Sequence, residues 1–124
     1  MAPDAFDIRR GDLVWVTCDP SVGVEPRKTR TCVVVSNDIA NTHGQAVTVV
    51  PTQGYSPERA KRRYMVDLRS PRSTLNEARV ANASMIMTYD RSRIASKAGR
   101  IDPDARRALD AALALHLALP PVRA

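Results

Sequence analysis

Aromatic residues are scarce in this chain of 124 residues, at 4% of the total. A surface that binds nucleic acid by stacking the bases needs several aromatic rings, so we do not expect that mode of binding. Histidine is also scarce: His43 falls in a predicted connection, and His116 lies on an apolar helix stripe. We therefore expect neither histidine to act as a catalytic acid or base.

Cysteine is limited to Cys18 and Cys32, which lack the paired spacing of a metal site. We expect both to be reduced thiols, and we expect the protein to need no metal or other cofactor. Because the two cysteines flank one loop, a disulfide remains sterically possible if the adjoining strands pair as a hairpin.

Long hydrophobic runs are missing, since no segment approaches the roughly 18 apolar residues that span a bilayer. Residues 1–7 have neither the basic region nor the apolar core of a signal peptide. These absences predict a cytoplasmic protein. The length predicts a single domain over 1–124, with residues 1–9 as a mobile tail.

Acidic residues are outnumbered: 13 Asp and Glu face 19 Lys and Arg, which leaves a net charge of +6. A surplus of this size favours nucleic acid or another polyanion as the partner. The plainer alternative is that the protein comes from an organism whose proteins are generally basic.

Short apolar segments bounded by Pro, Gly and polar residues predict several β-strands. The predicted strands cover 13–17, 31–36, 46–51, 64–68, 78–81 and 85–89. A long loop is predicted at 18–29, a polar connection at 37–45, a charged loop at 53–63 and a helical turn at 90–96.

The C-terminal segment predicts an amphipathic helix. Asp102 is a favourable N-cap, Pro103 suits the first helical position, and Leu109, Leu113 and Leu117 recur at helical spacing. Many short strands followed by one helix predict a mainly β fold of the α+β class, a small β-barrel with a packed helix.

Three spaced motifs stand in the first half of the chain. Residues 10–12 are Arg-Gly-Asp before an apolar strand, and residues 19–25 fit Asp-Pro-x-x-Gly-x-Glu. Arg30 then precedes a Val-rich strand that ends in Ser-Asn-Asp at 36–38. Together they resemble the MazF/PemK family of toxin–antitoxin ribonucleases, which implies an SH3-like barrel and cleavage of single-stranded mRNA at specific sequences.

The resemblance implies that Arg30 is catalytic. Its guanidinium stays charged and presents a rigid fork of donors that matches phosphate oxygens. In the family this arginine stabilises the phosphorane formed when a ribose 2′-hydroxyl attacks the adjacent phosphate. The products are a 2′,3′-cyclic phosphate and a 5′-hydroxyl, and no metal takes part. The alternative is that Arg30 forms an ion pair with Asp12 or Glu25.

The second catalytic group is ambiguous. Family members have Thr or Ser at the end of the third strand, where this chain has Val49-Val50-Pro51-Thr52-Gln53. An alignment with a one-residue deletion selects Thr52, which we favour as the catalytic residue, and an ungapped alignment selects Gln53 as the alternative. The choice matters because a one-residue offset turns a strand side chain to the opposite face. A third possibility is an impaired site.

The remaining site candidates lie in the loop 18–29. Arg27 and Lys28 are candidates to position RNA phosphates, and Ser21 and Glu25 are further RNA-binding candidates. For the two cations the alternative is simple solvation.

The resemblance also implies a homodimer with an RNA groove across its interface, and an acidic antitoxin whose disordered segment fills that groove. One rival is a catalytically impaired relative that still binds antitoxin or RNA. The apolar run 85–87, which replaces polar residues of the family, supports it. Another rival is a gyrase-poisoning toxin on the same fold, which acts through an exposed helix end. Against it, we expect Leu113 and Leu117 to be buried.

Overall fold

A computed structural model describes residues 7–120, which form a β-sheet and a C-terminal helix. Single turns of 3-10 helix, Ala83–Met85 and Arg91–Arg93, flank the sixth strand. In chain order the other elements are β1 (Asp12–Thr17), β2 (Thr29–Val34), α1 (Asp38–His43), β3 (Ala46–Gly54), α2 (Pro57–Ala60), β4 (Met65–Asp67), β5 (Arg79–Asn82), β6 (Met87–Asp90), β7 (Ile94–Arg100) and α3 (Pro103–His116).

The strands form one antiparallel sheet in the order β4-β5-β3-β2-β1-β7, with β6 beside β3. The long strand β3 pairs with β6 through 46–49 and with β5 through 52–54. The prediction of a mainly β fold with a C-terminal helix is confirmed. Within the described residues the end strands β4 and β7 do not pair, so the sheet is open where a barrel was predicted.

The sheet buries apolar side chains on both faces, because neighbouring residues of a strand point in opposite directions. Val33 and Val50 join one core cluster, which also contains the buried residues of α3. Cys32, Val34 and Val49 join a second cluster on the other face. The apolar residues of β2 are thereby buried on both faces of the sheet, and the packed sheet holds the ends of its strands rigidly.

Helix α3 begins as the sequence predicts. The carboxylate of Asp102 accepts a hydrogen bond from the Ala105 N–H at 2.8 Å, and Leu109 and Leu113 are buried against the sheet. Burial of each leucine contributes roughly 1.5–3 kcal/mol. The prediction that Leu117 is buried is wrong: the helix ends one residue earlier, and Leu117 is 47% exposed.

The predicted polar segments at 37–45 and 53–63 each contain a short helix that was not predicted. Asn37 caps α1 by accepting from the Ala40 N–H at 2.9 Å, and Ser56 caps α2 by accepting from Arg59 at 3.1 Å. Helices of six and four residues carry no apolar periodicity. The capping residues Asn37 and Ser56 were therefore the one local indication of these two helices.

The helical turn predicted at 90–96 is correct only for Arg91–Arg93, since β7 begins at Ile94. Strand β7 contains few β-branched residues, and it forms by pairing with β1. It also approaches the segment before β5 closely. A Cβ on Gly99 would lie 1.8 Å from the Thr74 carbonyl oxygen, so this position admits only glycine.

Strand β3 continues to Gly54, although Pro51 was predicted to close it. Pro51 lies between the stretches of β3 that pair with β6 and with β5, so its missing N–H interrupts neither pairing. The remaining strand predictions, at 13–17, 31–36, 64–68, 78–81 and 85–89, overlap β1, β2, β4, β5 and β6.

The prediction of a mobile tail over 1–9 is wrong for Ile8. Ile8 is 1% exposed and belongs to the second core cluster, so the chain is anchored before β1. Residues 1–6 lie outside the described part of the chain. Among the described helices, none is long and apolar enough to cross a membrane.

Candidate nucleic-acid cleavage site

An open cleft of about 320 Å³ lies where the β1–β2 loop faces the ends of β2 and β3. Its walls carry two cations, one carboxylate and two side-chain amides. The lining residues are Gly23, Val24, Glu25, Pro26, Arg27, Arg30, Pro51, Thr52, Gln53, Asn82 and Met85. The cleft therefore brings together residues that are up to 62 positions apart in the chain, from Gly23 to Met85.

Strand alternation determines which side chains share the cleft. Cys32 pairs with Pro51, so these two residues point to the same face of the sheet. Arg30 lies two residues before Cys32, and Gln53 lies two residues after Pro51. Both therefore share that face, because side chains repeat every second residue in a strand. Gln53 is the residue of the third strand that stands beside Arg30.

Arg30 is exposed, and its guanidinium forms no ion pair or hydrogen bond with any residue in 7–120. The two anions considered as alternative partners are engaged elsewhere. Asp12 pairs with Lys97 at 3.2 Å and Arg100 at 2.6 Å, and Glu25 accepts from the Val22 N–H at 2.8 Å. All the donors of the Arg30 fork are thus available to an anionic ligand in the cleft.

Thr52 has its hydroxyl committed to the protein interior, although the residue borders the cleft. Its side chain is 1% exposed, and its hydroxyl donates to the Thr31 carbonyl oxygen at 2.9 Å. A hydroxyl has only one hydrogen, so the contact of 2.7 Å between the two Oγ1 atoms has Thr31 as donor. The Thr52 hydroxyl therefore has no hydrogen left to offer a phosphate.

Gln53 differs from Thr52 in the hydrogen bonding of its side chain. Its Oε1 atom is buried and has no hydrogen-bond partner among the described residues. Buried polar atoms in folded proteins are nearly always paired, so an unpaired oxygen beside the cleft is unusual. The amide nitrogen of Gln53 carries two N–H donors that suit a phosphate oxygen.

The β1–β2 loop contributes two of the four predicted RNA-binding residues to the cleft. Glu25 and Arg27 line it, whereas Ser21 and Lys28 do not. The Ser21 hydroxyl instead donates to the Asp19 carboxylate at 2.8 Å. Hydrogen bonds from the Lys28 backbone and from Ser21 lower the pKa of Asp19, so this carboxylate stays charged and joins the two limbs of the loop.

Asn82 and Met85 also line the cleft, and neither was among the predicted site residues. The Asn82 side-chain oxygen caps the following 3-10 turn, since it accepts from the backbone N–H of Ser84 at 3.1 Å and from its hydroxyl at 2.6 Å. Such an Asn-x-Ser pattern signals a turn, not a ligand, so only the tertiary structure brings Asn82 to the cleft.

Two free thiols lie in the core near this site. The neighbouring Cys32 thiol lowers the pKa of Cys18 to about 6, and Tyr89 and Arg30 act in the same direction. The neighbouring Cys18 thiol and burial raise the pKa of Cys32. Cys18 is thus the more acidic thiol of the pair, and neither sulfur lines the cleft.

Neither histidine is part of the cleft. His43 is the last residue of α1, and the His116 ring packs edge-on against Tyr64 with 5.0 Å between ring centroids. In the part of the chain that the structure describes, no group of three or more His, Cys, Asp or Glu side chains is placed to hold a metal ion.

Comparisons with known proteins agree with this architecture. The curated relatives include the endoribonuclease EndoA of Bacillus subtilis, 28% identical over 90% of this chain and 96% of its own length. The endoribonuclease MazF9 of Mycobacterium tuberculosis is 33% identical over 90% of this chain and 98% of its own. MazF from Deinococcus radiodurans has the same fold, with a TM-score of 0.79 at 22% identity, covering 92% of this chain and 99% of that one.

A family model described as the PemK-like, MazF-like toxin of type II toxin–antitoxin systems matches residues 9–117. The match spans every strand of the sheet and helix α3, and it includes all the residues that line the cleft. The chain therefore belongs to the PemK-like, MazF-like family of toxins from type II toxin–antitoxin systems.

Proposed function

We propose that this protein is a sequence-specific, metal-independent endoribonuclease that cleaves single-stranded mRNA with Arg30 and Gln53. The observation that carries the proposal is the Arg30 guanidinium, which has no partner within residues 7–120 and lies in an open cleft on the same sheet face as Gln53. Family membership and the naming of two curated relatives as endoribonucleases support it.

The reaction is an internal transesterification. The ribose 2′-oxygen bonds to the adjacent phosphorus, and the bond from phosphorus to the 5′-oxygen of the next nucleotide breaks. The 2′-hydroxyl loses a proton and the leaving 5′-oxygen gains one, so the products are a 2′,3′-cyclic phosphate and a 5′-hydroxyl. No atom of the protein forms a covalent bond to the substrate, so catalysis depends on stabilising the phosphorane charge.

Arg30 supplies the main charge stabilisation. Its fork donates two hydrogen bonds to the non-bridging phosphate oxygens, and these bonds strengthen as negative charge develops there. β2 is buried behind it, so the guanidinium is held on a rigid element. Gln53 donates an amide N–H to the same phosphate and helps to orient it.

Arg27 in the loop and Asn82 bind the RNA beside the scissile phosphate. Arg27 contacts a neighbouring phosphate, which adds affinity without sequence preference. Asn82 has an amide N–H group that is uncommitted among the described residues, and amide groups can discriminate base edges by hydrogen bonding. Ser21 and Lys28 stay candidates for RNA contacts outside the cleft.

The proposed partners follow from the charge and from the family. Net charge +6 suits an acidic antitoxin segment that competes with RNA for the cleft. Solved relatives include a complex described as MazE–MazF from Deinococcus radiodurans, which has a TM-score of 0.74 to this chain. We also propose a homodimer whose RNA groove crosses the interface.

A test of the function is cleavage of a mixed RNA by purified protein, followed by mapping of both ends. We expect new 5′ ends that accept phosphate from a kinase without prior phosphatase treatment, and 3′ ends blocked as cyclic phosphates. Cut sites should share a short sequence. The variant Arg30→Ala, purified identically, controls for contaminating ribonucleases and should leave the RNA intact.

The burial of the Thr52 hydroxyl favours one second candidate, a relative that binds RNA or antitoxin without cleaving. It predicts that wild-type protein shifts single-stranded RNA in a gel yet leaves every RNA intact after long incubation. Site-specific cleavage that depends on Arg30 would rule it out.

A further inference from the structure

Two arginines of the 3-10 turn before β7 bind the backbones of two different segments. Arg93 Nη1 donates to the carbonyl oxygens of Thr17 at 3.1 Å and Asp19 at 2.7 Å. Arg91 Nη1 donates to the carbonyl oxygen of Asn41 in α1. The same turn therefore holds the β1–β2 loop with one side chain and the α1 helix with the other.

The Arg93 side chain is itself well supported. Its guanidinium lies over the Tyr89 ring, 5.8 Å from the ring centroid, and Tyr89 belongs to the second core cluster. The next residue, Ile94, is also buried in that cluster. A cation held over an aromatic ring on one side and by two carbonyls on the other has little freedom to turn.

The two carbonyls lie where β1 ends and the loop begins. The Cys18 N–H donates to the Lys28 carbonyl at 2.6 Å and closes the base of the loop. Beyond that base the loop is held by bonds within itself, such as the bond from Val22 N–H to Glu25. Among the side-chain hydrogen bonds of residues 7–120, those of Arg93 are the ones that join the loop to a distant part of the chain.

We propose that Arg93 is a positioning residue that sets the angle of the β1–β2 loop over the cleft. The proposal rests on the endoribonuclease function proposed above. Without Arg93 the loop base can swing, and Glu25 and Arg27 move relative to Arg30. Displacements of about 1 Å in a substrate-binding element cost up to about 10²-fold in rate. Arg93 does not line the cleft, so its effect passes through the loop.

The experiment compares Arg93→Ala with Arg91→Ala. The two residues lie in one turn, and each donates from Nη1 to a backbone carbonyl, but only Arg93 reaches the loop. Amide hydrogen exchange measures loop order, and steady-state cleavage gives kcat and KM separately. We expect Arg93→Ala to speed exchange in 18–28, to raise KM and to lower kcat/KM about 10- to 100-fold.

The matched variant should behave differently. Arg91→Ala should speed exchange in 38–43 and leave kcat/KM within roughly twofold of the wild type. Arg93→Lys should recover part of the affinity, because an ammonium still donates to the two carbonyls but lacks the planar fork. Should Arg93→Ala not fold, Arg93→Lys against Arg91→Lys makes the same comparison.

Two results would overturn the role of Arg93. One is that Arg93→Ala shows wild-type amide exchange in 18–28. The other is that Arg93→Ala shows faster exchange there but has the same kcat and KM as Arg91→Ala. Failure of the ribonuclease proposal looks different, because then the wild type itself cleaves no RNA. In that case binding of a single-stranded DNA oligonucleotide replaces cleavage: weaker binding by Arg93→Ala than by Arg91→Ala supports the role, and equal binding rejects it.

Discussion

Thr31 and Thr52 face each other across β2 and β3 with their Oγ1 atoms 2.7 Å apart, and both side chains are 1% exposed. This buried pair holds the register at the ends of the two strands. With Thr31 and Thr52 turned inward, the neighbouring Arg30 and Gln53 turn toward the cleft. The pair thus decides which residue of the third strand stands beside the arginine.

The first prediction concerns Gln53. Replacing it by Ala removes the amide that donates to the scissile phosphate in the proposed mechanism, and loss of one such donor typically costs about 10²–10³ in rate. We expect kcat of Gln53→Ala to fall by about 10² while the melting temperature stays close to wild type. Single-turnover cleavage of a mapped RNA site measures the effect. A wild-type rate would remove Gln53 from the catalytic machinery.

The second prediction concerns Thr52. Thr52→Val keeps the volume but leaves the Thr31 hydroxyl and carbonyl without their buried partner, which should lower the free energy of unfolding by about 1–3 kcal/mol. Urea unfolding measures this loss. Cleavage per folded molecule should change little.

A double variant, Thr31→Val with Thr52→Val, tests whether the stability loss comes from the unpaired Thr31 hydroxyl. It removes both hydroxyls and should recover part of the stability that Thr52→Val loses. A large loss of activity in well-folded Thr52→Val would instead make the Thr52 hydroxyl catalytic and reverse our choice between the two residues.

The third prediction concerns Arg30. Arg30→Ala should reduce cleavage by about 10²–10³ with the fold unchanged, since its guanidinium has no partner in the described structure. Arg30→Lys should restore little, because a point charge does not reproduce the fork. Arg107→Ala on α3 removes the same charge from an exposed pair with Asp104 and serves as the control. Equal rates for the Arg30 and Arg107 variants would contradict the mechanism.

The fourth prediction concerns divalent metals. In the proposed mechanism the Arg30 guanidinium provides the charge stabilisation that a metal ion provides in other nucleases. Cleavage by the wild type should therefore persist at an undiminished rate in excess EDTA. The measurement is a time course with EDTA and with added Mg²⁺. Loss of activity in EDTA that Mg²⁺ restores would overturn the proposed chemistry.

The fifth prediction concerns acid stability and Asp102. Hydrogen bonds from the Ser70 hydroxyl and from the Ala105 N–H lower the pKa of this carboxyl in the folded state. A lowered folded pKa means that the stabilisation is complete above the unfolded value, about 3.9, and is lost as the pH falls through the folded pKa.

The variant Asp102→Asn keeps an N-cap acceptor but cannot ionise. The stability difference between wild type and Asp102→Asn should therefore be constant from pH 5 to 8 and should shrink below about pH 4. Chemical unfolding across this range measures it, with Asp104→Asn in the same helix as the control for net charge. A difference that stays constant down to pH 2 would show that the carboxylate charge is not involved.

The fold class and the position of the arginine were predictable because they depend on local features. Apolar segments between Pro and Gly predict the strands. Asp102 and the leucine spacing predict α3 from its own residues. Arg30 was recognisable because a charged, forked donor follows a loop motif and precedes a buried strand. Each of these signals lies within about a dozen residues of the structure it specifies.

Only the tertiary structure shows which of Thr52 and Gln53 shares a sheet face with Arg30, because that depends on how β3 pairs with β2 and not on the residues of β3 alone. Strand β7 likewise forms because β1 lies beside it, against its weak strand propensity. The same long-range pairing brings Asn82 to the cleft and Arg93 to the loop base. The sequence by itself determined the mainly β class, the helix and the position of the candidate arginine. The register of distant strands selected the residues that stand around that arginine, since a shift of one residue turns every side chain to the other face.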